Sequence, residues 1–213
     1  MQTPLDTRAE TPLRALLLLG PTGVGKSPLG DRLEAKGLAG VPCHHLDFGA
    51  QLRAAAAGRI ELPRMWRRTV IDALEAGRLL EDDEFPAAEA IFAAFLARRQ
   101  PARSAWVVLN GIPRHEGQVE PVAAHFDVRH VVQLVASPQV ILDRIHHDVA
   151  GDRAGRDDDD PARVLARLER FEARTRPLLH RYGAHGVVLH ALPVLRGPRA
   201  AALRRGLEAG ISG

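Results

Sequence analysis

The sequence predicts a three-layer α/β fold, in which helices cover both faces of a five-stranded parallel sheet. Short uninterrupted apolar runs recur along the chain, as they do in strands that a parallel sheet buries on both faces. Segments with the apolar spacing of helices separate these runs, and this alternation favours crossover connections between parallel strands. The sequence contains no internal repeat and no interdomain linker, so we expect residues 1–213 to form one domain.

The first half of the chain supplies two predicted strands and four predicted helices. A run of four leucines ends at Gly20 and predicts a buried strand over residues 14–19. Residues 25–36 have the apolar spacing of a helix, which we expect to stop at Gly37. The remaining elements of this half are a strand over residues 43–47 and helices over residues 50–57, 63–74 and 85–98.

The second half continues the alternation of strands and helices. Predicted strands cover residues 105–109, 128–135 and 186–190, and predicted helices cover residues 138–147, 161–181 and 198–209. The helix over residues 161–181 rests on an apolar line that includes Val164 and Leu168. Residues 150–160 are charged and contain glycine without apolar periodicity, so we expect a mobile loop there.

The segment from Gly20 to Ser27 matches the pattern G-x-x-x-x-G-K-[ST] and lies between the first predicted strand and the first predicted helix. In such a loop, unpaired backbone N–H groups at a helix N-terminus face the negative charges of a polyphosphate. Lys26 reaches the β- and γ-phosphate oxygens, and the Ser27 hydroxyl can ligate Mg²⁺. The predicted ATP-binding residues are Gly20, Gly23, Val24, Gly25, Lys26 and Ser27. The motif predicts a P-loop NTPase fold that binds ATP with Mg²⁺, and it leaves the phosphoryl acceptor open.

Several later segments occur in a distinctive order. Residues 109–114 read L-N-G-I-P-R after a predicted strand, and Gln118 follows four positions later. Residues 156–159 read R-D-D-D, an R-L pair begins eleven positions on at Arg167, and residues 175–179 read T-R-P-L-L. Together with the P-loop, these segments resemble the adenylate kinase family of nucleoside monophosphate kinases, which shows D-G-F-P-R, R-x-D-D and T-x-P-L in this order. The resemblance covers most of the chain.

The resemblance implies that the acceptor is a nucleoside monophosphate, held by a helical insertion over about residues 48–80. Arg53 and Arg114 match the arginines with which the family binds the phosphate of the monophosphate. Gln118 matches the residue that hydrogen-bonds adenine, so the resemblance favours AMP and the reaction of ATP with AMP to give ADP. The implied monophosphate-binding residues are Phe48, Gly49, Arg53, Gly111, Arg114 and Gln118.

The resemblance also implies a set of cations around the transferred phosphoryl group. Arg144, Arg156 and Arg167 match family arginines at that position, and residues 148–156 match a short lid. The chemistry supports these roles, because phosphoryl transfer needs charge neutralisation and in-line positioning more than covalent help. Arginine forks match phosphate oxygens in pairs, and a phosphate acceptor needs no general base because it is already an anion. The implied catalytic residues are Lys26, Arg114, Arg144, Arg156 and Arg167.

The sequence departs from the family pattern at several positions in these segments. Phe48 stands where the family has a threonine that touches the base, so the phenylalanine either stacks on the base or fills the pocket. Asn110 stands where the family has an aspartate that holds Mg²⁺ through water. We expect Ser27 and Asn110 to be the metal-site residues, with weaker Mg²⁺ binding or slower transfer because the amide adds no charge. Asp148 replaces a lid arginine, for which Arg153 is a candidate substitute.

Composition excludes several other classes of protein. The longest apolar run covers residues 91–97 and is too short to span a bilayer. The single cysteine, Cys43, excludes an internal disulfide and favours a reducing cytoplasm. The sequence pI of about 9.7 reflects the arginine content, whereas the formal net charge is only +3, so no nucleic-acid partner is expected. We expect a cytoplasmic monomer whose partners are ATP and a nucleoside monophosphate, with no membrane association.

Two other functions remain open at this point. A P-loop kinase of another small metabolite would need a general base near the acceptor hydroxyl, and the arginines would then lack a common purpose. A nucleotide-binding regulatory protein with weakened catalysis would explain why Phe48, Ala50 and Asn110 depart from the family pattern.

Overall fold

The computed structural model describes residues 11–146, 161–195 and 200–211. Within these ranges the strands are β1 (Leu13–Leu19), β2 (Cys43–Asp47), β3 (Trp106–Asn110), β4 (Phe126–Val135) and β5 (Val188–Pro193). They follow the spatial order β2-β3-β1-β4-β5 in one sheet, and each neighbouring pair is parallel. The predicted five-stranded parallel sheet is therefore confirmed.

Helices cover both faces of this sheet. In chain order they are α1 (Lys26–Lys36), α2 (Phe48–Ala56), α3 (Arg64–Glu75), α4 (Phe85–Arg99), α5 (Val119–Ala123), α6 (Pro138–His146), α7 (Pro161–Arg170), α8 (Leu178–Ala184) and α9 (Ala200–Ile211). One face of β1 buries Leu16 and Leu18 against α1 and α9, and the opposite face buries Leu17 against α2, α3, α4 and α8. The result is the predicted three-layer arrangement. Across the described ranges, no helix has both the length and the apolar character needed to cross a bilayer.

Two strands, β4 and β5, differ by more than one residue from their predicted bounds. β4 begins at Phe126, two positions before the predicted start. The Phe126 side chain is fully buried, and the Phe126 backbone pairs with Leu13 of β1. β5 covers Val188–Pro193 instead of residues 186–190. Val188 and Leu189 are 49% and 46% exposed at this edge of the sheet, so the strand lacks the continuous apolar run of a buried strand.

The prediction of one long helix over residues 161–181 is wrong. The helix α7 passes into a π-helical turn over Phe171–Thr175 before α8 begins at Leu178. Pro177 explains the change, because its ring carries no N–H and crowds the carbonyl group four residues earlier. The backbone widens instead, and Arg176 donates its N–H to the carbonyl of Phe171 at 2.8 Å, a bond that spans five residues.

The carboxyl ends of β1, β2 and β3 meet at one edge of the sheet. After β1 the chain enters the loop before α1, and after β2 it continues directly into α2. Residues that end neighbouring parallel strands therefore come together although they lie far apart in sequence. Register pairs Asp47, the last residue of β2, with Asn110, the last residue of β3. This edge of the sheet carries the candidate site.

Candidate active site

The loop between β1 and α1 has a backbone that only glycine adopts without strain at three positions, Gly20, Gly23 and Gly25. Gly23 has φ of 78°, and a Cβ atom there would lie 2.6 Å from the Ile145 side chain. Gly25 has φ of 103° and forms the N-cap of α1, so the first helical turn opens directly onto the loop. The N–H groups at this helix end and the positive end of its dipole favour an anion in the loop.

Lys26 is the first residue of α1, and its side chain reaches back over this loop. Its Nζ atom donates hydrogen bonds to the carbonyl oxygens of Gly20 at 2.6 Å and Pro21 at 2.7 Å. The ammonium group is therefore held over the loop by the loop's own backbone. A phosphate oxygen bound here would meet a cation that the protein has already positioned.

Arg144 braces the loop from α6. Its side chain is buried, with Nε donating to the Gly23 carbonyl at 3.3 Å and Nη1 donating to the Leu195 carbonyl at 3.2 Å. Its Nη2 atom would lie 3.0 Å from a Cβ atom at Gly25, so the guanidinium group also packs against the start of α1. The predicted catalytic arginine is thus in contact with the predicted ATP-binding segment.

A hydrogen-bonded corner joins the loop to the ends of β2 and β3. The Ser27 hydroxyl donates to Asp47 Oδ2 at 2.5 Å, and the Asn110 Nδ2 atom donates to Ser27 Oγ at 3.1 Å and to Asp47 Oδ2 at 3.2 Å. The predicted metal-site residues, Ser27 and Asn110, are therefore in direct contact. Asp47 was not predicted as a site residue, although its position at the end of a predicted strand was a usable signal.

Asp47 is ionised in this corner. Burial acts to raise its pKa, but hydrogen bonds from the Ser27 hydroxyl and the Ala50 N–H outweigh burial, with smaller help from His45 and Arg53, and the pKa is lowered. The Ala50 N–H donates to Oδ1 at 2.9 Å, so Asp47 also caps the N-terminus of α2. The corner thus carries one negative charge beside the phosphate loop.

His45 supports the corner from beneath. Its Nδ1 atom lies 2.9 Å from Asp31 Oδ1, and its Nε2 atom lies 3.3 Å from Asn110 Nδ2. Gly30 makes room for the buried imidazole, because a Cβ atom there would lie 2.2 Å from Nε2. The Asn110 amide group is therefore held on both sides, by a histidine and by the Ser27–Asp47 pair.

A cavity of about 770 Å³ adjoins this corner. Predicted site residues from both halves of the reaction line it, namely Gly23, Gly25, Lys26, Ser27, Phe48, Gly49, Arg53, Asn110, Gly111, Arg114, Gln118, Arg144 and Arg167. Gly20 and Val24 belong to the loop but do not line this cavity. Arg156 and Arg153, together with the predicted loop over 150–160 and lid over 148–156, lie outside the described residues.

Three arginines line the same cavity, and two of them are close enough to Arg114 for their charges to act on it; we call Arg114, Arg167 and Arg170 the arginine wall. Burial first, and then the charges of Arg170 and Arg167, lower the pKa of Arg114 to about 10. Arg114 stays charged at neutral pH, but at a cost that an anion would remove. Guanidinium groups that converge in this way form a site for a phosphate group.

Arg163 and Arg170 also line the cavity and were not predicted as site residues. Both lie on α7, four residues before and three residues after Arg167 respectively, and such spacings place side chains on one face of a helix. Arg170 donates from Nη1 to the Gly77 carbonyl at 2.6 Å, which ties α7 to the turn after α3. The helical spacing was the signal that could have found these two residues.

Gln118 and Phe48 line the cavity from the protein core. Gln118 accepts the Arg114 N–H at 2.8 Å and donates to the Leu80 carbonyl at 2.9 Å, so its amide group has a fixed orientation. Phe48 is 4% exposed, and its ring centroid lies 6.0 Å from that of Phe92 in the core. Of the two roles that the sequence left open for Phe48, this packing favours the second, in which the ring fills the pocket.

Clusters of other metal ligands do not occur in the described part of the chain. Over residues 11–146, 161–195 and 200–211, no three His, Cys, Asp or Glu side chains converge in a way that could hold a metal ion. Cys43 is buried in β2, and burial raises its pKa to about 11, which leaves an unreactive thiol.

Comparison with known proteins relates the sequence to several enzymes, although no protein-family model matches it. The chain is 32% identical over 182 residues to an adenylate kinase of Stenotrophomonas maltophilia strain K279a, covering 81% of this chain and 87% of the relative. It is 33% identical over 181 residues to an adenylate kinase of Parvibaculum lavamentivorans, covering 80% of each chain. Among solved structures, a gluconokinase from Sinorhizobium meliloti 1021 matches with a TM-score of 0.52 and 20% identity, covering 93% of this chain and 91% of that one. This structural likeness concerns the fold alone.

Proposed function

Because the chain belongs to the adenylate kinase family, we propose that it transfers the γ-phosphoryl group of ATP to a nucleoside monophosphate, with AMP as the favoured acceptor. The observation that carries this proposal is the shared cavity, which is lined both by the phosphate loop and by the arginine wall. Two cationic groups of residues in one cavity suit two anionic substrates. A single bound nucleotide would leave one of them without a partner.

The proposed reaction divides the site between its substrates. The loop amides and Lys26 bind the β- and γ-phosphates of ATP, while Arg53 and Arg114 bind the phosphate of the acceptor. An oxygen of the acceptor phosphate attacks the γ-phosphorus as the bond to the β–γ bridging oxygen breaks, and ADP leaves with that oxygen. Lys26, Arg144 and Arg167 offset the charge that spreads over the transferred group.

The residues at the hydrogen-bonded corner fit Mg²⁺. This cation prefers oxygen ligands and retains several of its waters, and the corner offers the Ser27 hydroxyl oxygen, which lies 3.1 Å from the Asn110 Nδ2 atom at the edge of the loop. When bound with ATP, Mg²⁺ supplies charge neutralisation at the β- and γ-phosphates. Ser27 holds and orients that site, and Asn110 orients Ser27 by donating to its oxygen.

The preference for AMP rests on Gln118. Its fixed amide group retains a second lone pair on Oε1 and a second N–H on Nε2, which together match the donor and acceptor on the edge of adenine. The Leu80 carbonyl and the Arg114 N–H set the plane of this amide, so the base would be read by a rigid group. The amide group also provides the basis for rejecting bases with a different edge.

An acceptor panel tests the proposal. The full chain is incubated with ATP and, separately, AMP, CMP, UMP, GMP or dAMP, with Mg²⁺ or with EDTA, and nucleoside diphosphates are separated by anion-exchange chromatography. We expect turnover with Mg²⁺, fastest with AMP, and none with EDTA. If the preparation binds ATP but phosphorylates none of these monophosphates, the proposal is contradicted.

One observation favours a second candidate, transfer to a hydroxyl group of a small metabolite. The ionised Asp47 carboxylate lines the cavity and could take the proton of a hydroxyl acceptor as general base. A polyhydroxy acid added to the same panel distinguishes the two functions. Phosphorylation of that acid, without phosphorylation of any monophosphate, would establish the second candidate.

A further inference from the structure

The corner formed by Ser27, Asp47 and Asn110 contains a carboxylate that the sequence pattern did not assign. We infer that Asp47 is the carboxylate of the Mg²⁺ site. From the end of β2 it supplies the negative charge that Asn110, at the end of the neighbouring strand β3, does not supply. This inference rests on the proposed function, since Mg²⁺ would enter the site with ATP. It deepens that function by naming the residue on which metal binding depends.

The contact between Asp47 and Ser27 supports this inference. The hydroxyl gives its single hydrogen to Asp47 Oδ2 at 2.5 Å, and one of its two lone pairs accepts from Asn110 Nδ2 at 3.1 Å. The remaining lone pair is thereby oriented and is made more electron-rich by the carboxylate. An oxygen that is oriented in this way is a better ligand for a hard cation, and supporting groups of this kind tune metal sites.

The position of Asp47 in the sheet supports the same inference. Asp47 and Asn110 are paired in register at the ends of β2 and β3, so exchanging the carboxylate and the amide between them moves the charge by only one strand. The Asn110 Nδ2 atom lies 3.2 Å from Asp47 Oδ2, which shows that both side chains reach the same point. Among the acidic residues that line the described part of the cavity, Glu75 is at the distant end of α3, so Asp47 is the one beside the loop.

The competing interpretation is that Asp47 only caps α2. Its Oδ1 atom accepts the Ala50 N–H at 2.9 Å, and a cap of this kind explains an aspartate without any metal. The two interpretations separate in Asp47→Asn, because asparagine caps helices as well as aspartate does but carries no charge. A cap alone therefore predicts no change in Mg²⁺ dependence.

The test measures ATP binding to the full chain by isothermal titration calorimetry, in EDTA and over a series of Mg²⁺ concentrations, without any acceptor. In Asp47→Asn, we expect the half-saturating Mg²⁺ concentration to rise about 10- to 100-fold, the range seen when a supporting group of a metal site is removed. ATP affinity in EDTA should not fall, because the lost charge repels phosphate. Thermal melting verifies that the variant is folded, and Asp47→Ser, which retains a capping oxygen, gives an independent variant.

Two further variants serve as controls. Asp31→Asn removes a carboxylate from the same hydrogen-bonded chain, but on the far side of His45, and should leave the Mg²⁺ dependence unchanged. The exchange Asp47→Asn with Asn110→Asp returns the carboxylate to the neighbouring strand and should recover most of the lost Mg²⁺ binding. A wild-type Mg²⁺ dependence in both Asp47→Asn and Asp47→Ser would overturn the inference. The proposed function would remain intact in that case, because the chain would still bind ATP. Failure of the wild-type chain to bind ATP would instead overturn the proposed function.

Discussion

The phosphate loop and the arginine wall bind the same kind of chemical group by different means. The loop is a run of consecutive residues that presents backbone N–H groups and one lysine, and its shape depends on glycines with positive φ. The wall is assembled from side chains that are distant in sequence: Arg114 contacts Thr175 across 61 positions, and Arg170 contacts Gly77 across 93. A local site is encoded in one motif, whereas a distributed site depends on the whole fold.

The difference has a consequence for substitutions. Removing the loop lysine should affect ATP and transfer alike, because backbone amides cannot replace a cation that moves with the γ-phosphate. Removing Arg114 from the wall should affect mainly the acceptor, and its neighbours should compensate in part. The following predictions test this contrast, in order of decreasing effect.

Lys26→Met should give the largest loss. We expect kcat to fall by about 10³-fold, as when a group that stabilises the developing charge is removed. The measurement is steady-state kinetics with ATP and AMP, together with thermal melting to verify folding. Lys36→Met, which removes the other lysine of the chain at the far end of α1, is the matched control and should have nearly wild-type kinetics.

Arg114→Lys should weaken the acceptor side alone. The lysine retains the positive charge but loses the planar fork, so kcat/KM for AMP should fall about 10- to 100-fold, since a hydrogen bond to a charged group contributes about 1.5–3 kcal/mol. ATP affinity measured without acceptor should stay at the wild-type value. Arg68→Lys, on the exposed side of α3, is the control. Equal losses for ATP and AMP would remove the contrast between loop and wall.

Arg174→Gln should have a smaller effect, on stability. Arg174 forms a two-pronged ion pair with Glu81 at 2.6 and 2.7 Å, joining the π-helical turn to the segment after α3. Because both side chains are more than a third exposed, the free energy of unfolding should fall by only about 0.2–1 kcal/mol. Urea denaturation at low and at high salt measures this, and the difference between variant and wild type should shrink at high salt.

The smallest predicted effect concerns a histidine pair outside both regions. His130 Nδ1 lies 3.1 Å from His190 Nε2 between β4 and β5; burial and then the charge of His190 lower the pKa of His130, and burial lowers the pKa of His190. Since the unfolded chain binds these protons more readily, stability should decrease as the pH falls below about 6.5. His130→Gln should flatten this acid-side loss of unfolding free energy, measured between neutral and mildly acidic pH, and should leave AMP kinetics at neutral pH unchanged.

The sequence allowed much of the fold to be predicted, because apolar runs and helical spacing are local properties. The predicted bounds of β1, β2 and β3 agree with the observed bounds to within a residue or two. The break at Pro177 was missed, since a helix can absorb a proline by widening one turn, and periodicity does not show this. The edge strand β5 was displaced because its exposed face carries no buried pattern.

The predictions for the site divide in the same way, into residues found from local patterns and residues missed because their contacts are distant in sequence. The loop residues follow from one motif, and Arg114 and Arg167 were found through segments that resemble a family. Asp47 was missed because its significance comes from contact with Ser27 and Asn110, which only the register of β2 and β3 brings together. Arg170 was missed because the arginine content of the chain makes a single arginine uninformative until its neighbours are known.

The central claim is that the loop and the wall hold two anionic substrates at once, and one binding measurement tests it most directly. A dinucleotide that joins two adenosines through a polyphosphate chain should span both surfaces. By calorimetry we expect one molecule to bind per chain, with lower affinity in Lys26→Met and in Arg114→Lys. Binding that Arg114→Lys leaves unchanged, or independent binding of a second molecule, would contradict the claim.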